Sequence, residues 1–518
     1  MSSHRVRARA PRGEPRAPAS VAADEAGAYL RDAANTPGGH TSRVVFPTSE
    51  AEVAWALRQA PAVLPVGAQS SLTGGATPFG AWVLSLSRMD AMAPVARGRV
   101  RVGAGVALLS LEEALRPSRL FFPPVPTFRG AFAGGVVSTN AAGAATFKYG
   151  PTRPWVHALT AVLAGGEVLD LERGRCRAHP GGFFEIELAR EMVQVPIPTY
   201  PMPDVPKRSA GYHAEPGMDL VDLFVGSEGT LGVITEVELR LQPEPGARVL
   251  ALATFGDEAE ALAAVGRLRQ ESRATWDTGD ARGLDIAAVE SMDARCLELL
   301  REDGQDRAQG VALPAAARTA LLIEAEARGE VDDLLEALGR VLRQSGARAE
   351  DDVLVALPGD SRRAAQLRAL REAVPMAVNH RIAAAQRAGQ PRVQKTAGDM
   401  IVPFAQLPDM MARYREAFAS RGLDHAIWGH VSDGNVHANV IPRTDDDVHR
   451  GEEALAELGQ EVIRRGGCPL SEHGVGRNPV KQALLRLLYG DHGIEEMRRV
   501  KAALDPEWRL SPGVLFPR

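Results

Sequence analysis

Apolar and polar residues follow two patterns in the first half of the chain, and each predicts a different kind of element. FPTSEAEVAWALRQA (residues 46–60) has apolar residues at helical spacing behind a Ser/Thr cap, so it predicts a capped helix. LLSLEEAL (108–115) predicts a second helix. The short apolar runs VLPV (63–66), AWVLSLSRM (81–89) and GRVRVGAGV (98–106) predict strands. This half therefore consists of short strands and helices.

From about residue 243 the pattern changes to longer units, in which a strand is followed by an amphipathic helix. RVLALATFGDEAEALAAVGRLRQ (248–270) is one unit, and TALLIEAEA (319–327) with EVDDLLEALGRVLRQSG (330–346) is another. GDMIVPFAQ (398–406) leads into the helical pattern of LPDMMARYREAFASRG (407–422). Such units, followed by a hairpin, predict an antiparallel sheet that helices cover on one face. The expected fold class is α+β.

The length and the change of pattern predict more than one domain. A chain of 518 residues is too long for a single typical core. We expect the joint at QPEPGAR (242–248), with one domain at residues 40–242 and a second at 243–500. The last stretch, LDPEWRLSPGVLF (504–516), has the Pro/Gly content of a packed tail rather than of a helix.

Composition and charge exclude several classes of protein. The chain is 45% hydrophobic and 24% charged, as in an ordinary soluble globular protein. Its net charge of −5 gives no general electrostatic reason to bind nucleic acid. No apolar run approaches the roughly 20 residues of a transmembrane span. Cys176, Cys296 and Cys468 have no C-x-x-C spacing, which excludes a disulfide framework or an iron–sulphur cluster held by this chain alone. We therefore expect a cytoplasmic protein, with peripheral attachment to the inner membrane as an alternative.

The first 22 residues differ in composition from the rest of the chain. They begin MSSHRVRARAPRGEPRAPAS, which is rich in Arg, Pro, Ala and Ser and lacks an apolar signal core. Residues 1–22 are therefore predicted to form a disordered basic tail. The alternative is a targeting or anionic-surface element.

Three loops of the first half share a composition of glycine with Ser, Thr or Asn. They are GAQSSLTGG (67–75), FAGGVVSTNAAGAATFKYG (132–150) and GSEGTLGVIT (226–235). Glycine lets the backbone approach a ligand closely, and successive exposed N–H groups form concavities that hold anions. One such loop alone is more simply a flexible turn. Three beside apolar strands predict a large phosphate-bearing cofactor, and the lack of a G-K-[ST] motif argues against a nucleoside triphosphate.

A candidate hairpin in the second half carries two histidines. In GHVSDGNVHANVIP (429–442), Asp-Gly between two strand-like runs predicts a two-residue turn. That turn would pair His430 with His437 and Trp428 with Asn439. Two imidazoles so placed are able to share a divalent ion. The alternative is a pair of exposed or hydrogen-bonded histidines.

A second stretch, PLSEHGVGRNP (469–479), offers a further ligand and a base. Glu472 would complete a His2Glu site with an open position for substrate or water. His473 would then be a free imidazole near the ion, suited to take a proton. The alternative for Glu-His in a glycine-rich loop is a helix cap or a surface turn.

These residues resemble a known family over about residues 40 to 518. The three loops resemble those of flavoproteins with the vanillyl-alcohol-oxidase / p-cresol-methylhydroxylase (PCMH) fold. The hairpin, EHGVG (472–476) and the closing LDPEWRLSPGVLF are similar to the FAD-linked oxidase C-terminal type. That group contains D-lactate dehydrogenases, the glycolate oxidase flavin subunit and D-2-hydroxyglutarate dehydrogenases. The resemblance implies a PCMH-type FAD-binding domain at 40–242, a ferredoxin-like antiparallel-sheet substrate and metal domain at 243–500, and a segment 501–518 that returns to the FAD domain.

The resemblance also assigns cofactor contacts along the first domain. Residues of the first loop would cradle the FAD pyrophosphate: Val66, Gly67, Ala68, Gln69, Ser70, Ser71, Gly74 and Gly75. Residues that follow would line the flavin: Pro126, Thr127, Gly134, Gly135, Ser138, Thr139, Asn140, Gly143, Tyr149 and Gly150. The third loop would contact the adenosine side through Glu228, Gly229, Gly232, Val233 and Ile234.

In the second domain the resemblance implies a metal and a substrate site. The family's ligands for zinc or manganese match His430, His437 and Glu472, and its base matches His473. A substrate contact matches Asn439, an arginine that grips the substrate carboxylate matches Arg371, and Lys395 lies near a substrate lysine. Arginine suits a carboxylate because its planar fork pairs with it bidentately. The alternative for Arg371 is a helix-surface arginine that is exposed or paired with Glu372.

The sequence departs from the family pattern at several positions. Gly67-Ala68-Gln69-Ser70 replaces the usual Gly-Gly-Gly-Thr-like start of the first loop. Pro375 stands where some 2-hydroxyglutarate enzymes have a threonine that contacts substrate. These departures bear on the substrate more than on the flavin. Ether-lipid synthases carry a run of histidines where this chain has Ser471-Glu472-His473, so that branch is disfavoured.

The resemblance implies an FAD-dependent dehydrogenase or oxidase of D-2-hydroxy acids, of the D-lactate, glycolate or D-2-hydroxyglutarate class. The electron acceptor would be a quinone, a cytochrome, an electron-transfer flavoprotein or an iron–sulphur subunit, and a homodimer is one possible assembly. A second hypothesis is the flavin subunit of a larger electron-transfer complex. A third, a metal-dependent hydrolase without redox chemistry, would leave the three glycine-rich loops without a purpose.

Overall fold

The protein is described by a computed structural model that covers residues 3–124, 126–347 and 352–517. Both strands and helices occur in each half of the chain. Within these residues no helix is both long enough and apolar enough to cross a membrane.

The strands lie in two groups, before and after residue 244. The first group is β1 (Arg5–Arg7), β2 (Ala19–Ala22), β3 (Arg43–Phe46), β4 (Val63–Val66), β5 (Trp82–Ser85), β6 (Arg99–Gly103), β7 (Leu120–Phe121), β8 (Val156–Val162), β9 (Val168–Glu172), β10 (Phe183–Glu187), β11 (Met192–Pro196), β12 (Val233–Arg240) and β13 (Gln242–Pro243). The second group is β14 (Ala247–Phe255), β15 (Ile286–Met292), β16 (Thr319–Ala327), β17 (Val353–Ala356), β18 (Thr396–Ala397), β19 (Met400–Ile401), β20 (His425–Gly429) and β21 (Asn435–Val440).

The helices of the first half are short, whereas several in the second half are long. Those before residue 244 are α1 (Glu50–Gln59), α2 (Leu108–Leu115), α3 (Ala133–Ser138), α4 (Thr146–Tyr149) and α5 (Leu220–Phe224). Those after it are α6 (Glu258–Thr278), α7 (Ala294–Glu302), α8 (Gln305–Ala308), α9 (Val331–Gln344), α10 (Ser361–Arg387), α11 (Leu407–Ala419), α12 (Asp445–Arg464) and α13 (Pro479–Leu504), the last kinked at Gly490.

The predicted elements of the first half are confirmed within a few residues. Helix α1 begins after Ser49, whose side chain accepts the backbone N–H of Glu52 at 3.3 Å, as expected of a helix cap. The predicted strands appear as β4, β5 and β6, and the second predicted helix as α2. Strands β3, β5 and β4 are parallel, and β4 runs directly into the first glycine-rich loop. A second, antiparallel sheet has the order β6-β12-β8-β9.

The second half forms the predicted antiparallel sheet, but helices cover both of its faces. The strand order is β17-β14-β16-β15-β20-β21-β18. Along β14, Val249 and Ala251 pack in a hydrophobic cluster with residues of α6 and α9, while Leu250 and Leu252 pack with residues of α7 and α10. The prediction of one covered face was wrong because both sides of β14 are apolar. Alternation therefore could not mark an exposed side.

The prediction of a disordered tail at residues 1–22 was also wrong for the residues that the structure describes. β1 pairs with β10, and β2 pairs with β3. Arg9 forms ion pairs with Glu50 (2.5 Å) and Asp170 (2.6 Å) of the folded part. The basic composition predicted disorder because the acidic partners lie far away in the sequence. In the fold they neutralise the arginines.

The end of the described chain adds a short pairing to β4. The N–H of Val63 donates to the carbonyl of Arg509 at 2.8 Å, and the N–H of Ser511 donates to the carbonyl of Val63 at 2.8 Å. The hydroxyl of Ser511 donates to the carbonyl of Gly229 at 3.1 Å. Residues near 510 thus contact both β4 and the third glycine-rich loop.

Candidate active site

The histidine hairpin forms with a longer turn and a different register from those predicted. Trp428 of β20 pairs with His437 of β21, whereas a two-residue turn would pair His430 with His437. His430 lies instead in the turn, and its carbonyl accepts the N–H of Asn435 at 3.3 Å. The connection therefore takes residues 430–434, and the prediction of a two-residue Asp-Gly turn was wrong.

Gly429 explains where the strand pairing ends. A Cβ atom on Gly429 would lie 2.7 Å from the Cα of Val436 and 2.8 Å from the carbonyl oxygen of Asn435. Only glycine permits this approach, at a φ of +152°. The printed pairing of β20 with β21 ends next to this residue, and His430 follows in the turn.

Despite the changed register, three imidazoles gather around one oxygen of Glu472. Oε1 lies 3.2 Å from Nε2 of His430, 3.3 Å from Nε2 of His437 and 3.6 Å from Nε2 of His473. The ring of His437 stands perpendicular to that of His430 and nearly parallel to that of His473. The hairpin and the EHGVG loop thus meet, as the expected His2Glu site requires.

These donors fit a divalent ion in their chemistry. Two imidazole nitrogens and a carboxylate, with room for a fourth ligand, form the donor set of a catalytic zinc site. The donors whose ligand atoms all lie within 4.8 Å of one another form a different set, namely Asp399, His437, Glu472 and His473. We favour His430, His437 and Glu472, because both oxygens of Asp399 already accept hydrogen bonds from residues 471–473.

Carboxylates lie beside the Nδ1 atoms of His430 and His473. Nδ1 of His473 lies 3.2 Å from Asp399, and Nδ1 of His430 lies 3.2 Å from Glu290. Such partners fix the tautomer and orientation of an imidazole. Burial lowers the pKa of His473 to about 4 although two carboxylates lie beside it.

Sequence reasoning missed Lys207, which holds the other side of Glu472. Its ammonium is 1% exposed and lies 3.0 Å from Oε2 of Glu472, 3.0 Å from Asp433 and 3.1 Å from the amide oxygen of Asn435. Burial lowers the pKa of Lys207, but the two carboxylates more than offset this and raise it. No motif marks the lysine in VPKRSAG (205–211), so only the fold reveals it.

The residues expected at the substrate lie on the same side of the sheet as Glu290. Arg371 of α10 is 6% exposed, and its Nε and Nη2 each lie 2.7 Å from Glu290. The alternative of a surface arginine paired with its neighbour in sequence was therefore wrong. Burial, and after it the charge of Arg371, lower the pKa of Lys395. Asn439 is buried opposite Ala426 in the hairpin, and its side chain donates to the carbonyl of His437 at 2.9 Å.

The first two glycine-rich loops approach each other at Gly67 and Gly135, beside the side chain of Phe132, and the open space at Gly135 is here called the glycine-lined groove. A Cβ atom on Gly67 would lie 4.0 Å from the Cα of Gly135, and one on Gly135 would have no heavy atom within 4 Å. Gln69 and Asn140, one in each loop, take positive φ angles of 53° and 47°. Backbone exposed in this way fits a phosphate-bearing cofactor, because N–H groups are able to approach the anion.

Not all of the expected cofactor residues present their side chains to this groove. Val233 and Ile234 begin β12 and pack in the hydrophobic core. The amide oxygen of Asn140 accepts the backbone N–H of Arg153 at 2.9 Å. The hydroxyl of Tyr149 donates to Glu326 of the second half at 2.6 Å. Where these residues contact a cofactor, the backbone would make the contact.

Glu228 joins the third glycine-rich loop to the loop that carries Glu472. Its carboxylate accepts the N–H groups of Val475 and Gly476, both at 2.8 Å. Burial raises the pKa of Glu228 to about 7, against the effect of these two donors. A second bridge runs through Ser209, whose N–H donates to the carbonyl of Ser471 and whose hydroxyl donates to that of Asn140. Hydrogen bonds thus join the glycine-lined groove to the loop that carries Glu472.

Replacing Gly476 by alanine is expected to damage both the groove and that loop. Gly476 has a φ of +57°, and a Cβ atom there would lie 2.2 Å from Oγ1 of Thr73 in the first glycine-rich loop. We expect weaker FAD binding and a free energy of unfolding lower by about 1–3 kcal/mol. Titration with FAD and thermal melting provide the measurements.

Gly422→Ala is the matched control for that substitution. Gly422 also has a positive φ, of +62°, but open space where its Cβ would lie. It should lose stability without losing FAD. Equal FAD affinity in the Gly476 variant and in the wild type would contradict the proposed contact between the two loops.

Two family models match the chain. The FAD linked oxidases, C-terminal domain, matches residues 244–515, and an FAD binding domain matches residues 41–172. The second match contains the first two glycine-rich loops in full. The first match contains the histidine hairpin, Glu472 and Arg371.

Individual relatives extend over most of the chain. A D-2-hydroxyglutarate dehydrogenase from Xanthomonas citri pv. viticola is 30% identical over 489 residues, which are 90% of this chain and 86% of that protein. Glycolate oxidase subunit GlcD from Bacillus subtilis is 28% identical over 469 residues, 88% and 84% of the two chains. A D-lactate dehydrogenase from Archaeoglobus fulgidus is 28% identical over 483 residues, 91% and 90% of the two chains.

A solved structure matches the fold as a whole. An alkyldihydroxyacetonephosphate synthase superposes with a TM-score of 0.59 over 92% of this chain and 77% of that one, at 15% identity. Identity this low concerns the fold alone. The C-terminal family match covers more than half of the chain. The chain therefore belongs to the FAD-linked oxidase family, as an FAD-linked oxidoreductase of the group named for D-lactate, glycolate and D-2-hydroxyglutarate oxidation.

Proposed function

We propose that the protein oxidises a small D-2-hydroxy acid to the 2-oxo acid. The observation that carries the proposal is the convergence of three imidazoles on Oε1 of Glu472, in a loop that Glu228 ties to the glycine-lined groove. Oxidation of a hydroxy acid needs a group that binds the carboxylate, a group that polarises the hydroxyl, a base and an electron acceptor. The groove and the histidine cluster offer residues for each.

The substrate carboxylate is assigned to Arg371 and Lys395. Arg371 keeps Nη1 without a partner among the described residues, since Glu290 occupies Nε and Nη2. Lys395 adds a positive charge that forms no ion pair within the same residues. A buried carboxylate needs such cationic partners, because an unpaired buried charge costs several kcal/mol.

His430, His437 and Glu472 would hold a divalent ion, zinc or manganese. When bound, that ion polarises the substrate hydroxyl and lowers its pKa. Lys207 keeps Oε2 of Glu472 away from the imidazoles, so Oε1 is the oxygen that faces them. Asn439 lies beside His437 and would orient the substrate through its amide.

His473 is the proposed base. Its Nδ1 faces Asp399 and would carry the ring proton, which leaves Nε2 free to accept a proton from the hydroxyl. The oxidation releases that proton and the hydride of Cα together. FAD, bound in the glycine-lined groove, supplies the acceptor for the hydride.

A second candidate function is that of the flavin subunit in a larger electron-transfer complex. The Bacillus subtilis relative is named a subunit of glycolate oxidase, which favours it. Full turnover by the isolated chain with an artificial dye as electron acceptor would count against a need for partner subunits.

Anaerobic flavin reduction tests the proposed function directly. The purified protein, loaded with FAD and zinc or manganese, is mixed with D- and L-forms of a panel of 2-hydroxy acids that includes lactate, 2-hydroxyglutarate and the achiral glycolate. We expect flavin absorbance to bleach with at least one D-acid or with glycolate, and more slowly with the L-forms. Protein that takes up no FAD, or flavin that no 2-hydroxy acid reduces, would refute the proposal.

Replacing Arg371 should weaken the preference for an acid over its neutral analogue. Arg371→Lys keeps the charge but loses the bidentate fork, so it should bind 2-hydroxy acids more weakly. Arg371→Met should lower the ratio of reduction efficiency on acid and amide by about 10–100-fold, the value of a charged hydrogen bond. Arg368→Met is a control on the exposed side of the same helix. A ratio that stays constant would assign the carboxylate to Lys395 alone.

A further inference from the structure

We propose that Glu290 is a positioning residue that joins the arginine for the substrate carboxylate to a histidine of the metal site. One buried carboxylate would then orient both the arginine that binds the substrate carboxylate and a histidine that binds the metal. This inference rests on the proposed function, because it takes the roles of Arg371 and His430 from there.

The sheet places Glu290 between the two groups that it contacts. Glu290 lies in β15, which pairs with β16 on one side and with β20, the strand that leads to His430, on the other. Its side chain points to the face that packs against α10, where Arg371 lies, and is 13% exposed. The position is therefore fixed by the centre of the sheet rather than by a loop.

Its two oxygens are divided between two partners. Oε1 lies 3.2 Å from Nδ1 of His430. Oε2 lies 2.7 Å from both Nε and Nη2 of Arg371. Nδ1 of His430 thus lies beside a carboxylate, while Nε2, the proposed ligand atom, faces Glu472 at 3.2 Å. A carboxylate that holds the far nitrogen of a histidine in this way raises the affinity of that histidine for a metal.

The same contact changes what Arg371 offers to a substrate. The pair of Arg371 and Glu290 has no net charge. Arg371 therefore offers a substrate one free edge of its guanidinium in a fixed orientation, but no unbalanced positive charge. Lys395 is left to balance the charge of a bound carboxylate. Removing the charge of Glu290 should therefore have opposite effects on the two ligands of the site.

Glu290→Gln tests this with two probes that need no turnover. Zinc should bind to the variant about 10–100-fold more weakly than to the wild type, the cost of losing such a partner. Propanoate, a carboxylate without a hydroxyl, should bind to the metal-free flavoprotein about tenfold more tightly, because Arg371 is no longer neutralised. Zinc titration and the change in flavin absorbance on adding propanoate are the measurements.

The matched control is Glu324→Gln. Glu324 lies on the neighbouring strand β16 and pairs with Arg248 and Arg368 outside the site. It should change neither zinc nor propanoate binding. If Glu290 had a purely structural role, the affinities for zinc and for propanoate would both fall. If it had no role, neither affinity would change. Either result would overturn the proposal.

A double variant guards against misfolding of Glu290→Gln. Glu290→Met with Arg371→Met removes both charges of the buried pair, a change that proteins often tolerate. Compared with Arg371→Met alone, it should lose zinc affinity by the same 10–100-fold and gain no propanoate affinity. Equal zinc affinity in the two would refute the positioning role.

Failure of the proposed function gives a different pattern. Wild-type protein that binds zinc and propanoate but is reduced by no 2-hydroxy acid would refute the reaction, while leaving the effects of Glu290 measurable.

Discussion

His473→Asn is expected to retain metal and flavin and to slow flavin reduction by about 10²–10⁴-fold, the usual contribution of a positioned acid–base group. The ring of His473 contacts both Asp399 and the shared oxygen of Glu472, and it is 28% exposed, so a substrate is able to reach it. Asparagine preserves a polar group of similar reach but cannot take the hydroxyl proton. Anaerobic stopped-flow reduction by the best acid of the panel measures the effect.

His425→Asn is the control for that substitution. His425 lies at the start of β20, on the same hairpin, with its Nδ1 bonded to the carbonyl of Leu423 and no contact with Glu472. The flavin of this variant should be reduced at the wild-type rate. Near-normal reduction by the His473 variant, with metal and flavin present, would show that the hydroxyl loses its proton without this base.

His437→Ala is expected to empty the metal site while the flavin stays in place. It removes one of three proposed ligands, so the loss of affinity should exceed the roughly 10–100-fold that an outer hydrogen-bond partner of a ligand contributes. The glycine-lined groove is built by other loops, around Gly67 and Gly135, and should be unaffected. Elemental analysis for zinc and manganese, together with the flavin absorbance spectrum, measures both.

His425→Ala is the control for this substitution, and it should keep its metal. Unchanged metal in His437→Ala would refute the assignment of this histidine as a ligand. Retained metal with lost activity would move His437 to the substrate instead.

Much of the site was predictable from the sequence because its chemistry lies in short local motifs. The glycine-rich loops, the histidine hairpin and the Glu-His pair each carry their signal within a few residues. What failed was the register of the hairpin. The Asp-Gly pair predicts a two-residue turn, whereas β20 and β21 pair with Trp428 opposite His437, and the close approach of two backbones at Gly429 has no local signal in the sequence.

Lys207 and Glu290 could not be predicted, for a different reason. Each is an isolated charged residue in a segment whose pattern is ordinary, and each becomes significant only when remote elements bring acids or bases to it. Glu290 in particular lies in an apolar strand, where one polar residue would usually mark an exposed edge. Its partners come from residues 371 and 430, far along the chain.

The pairing of Val63 with Arg509 and Ser511 has a consequence for biosynthesis. The strand that ends at Val66 leads into the first glycine-rich loop, yet it gains its last hydrogen bonds only from residues made more than 440 positions later. A nascent chain on the ribosome therefore holds an incomplete groove until residue 511 has emerged. We expect coenzyme capture to follow the emergence of that residue, and premature termination before it to give a colourless, protease-sensitive product.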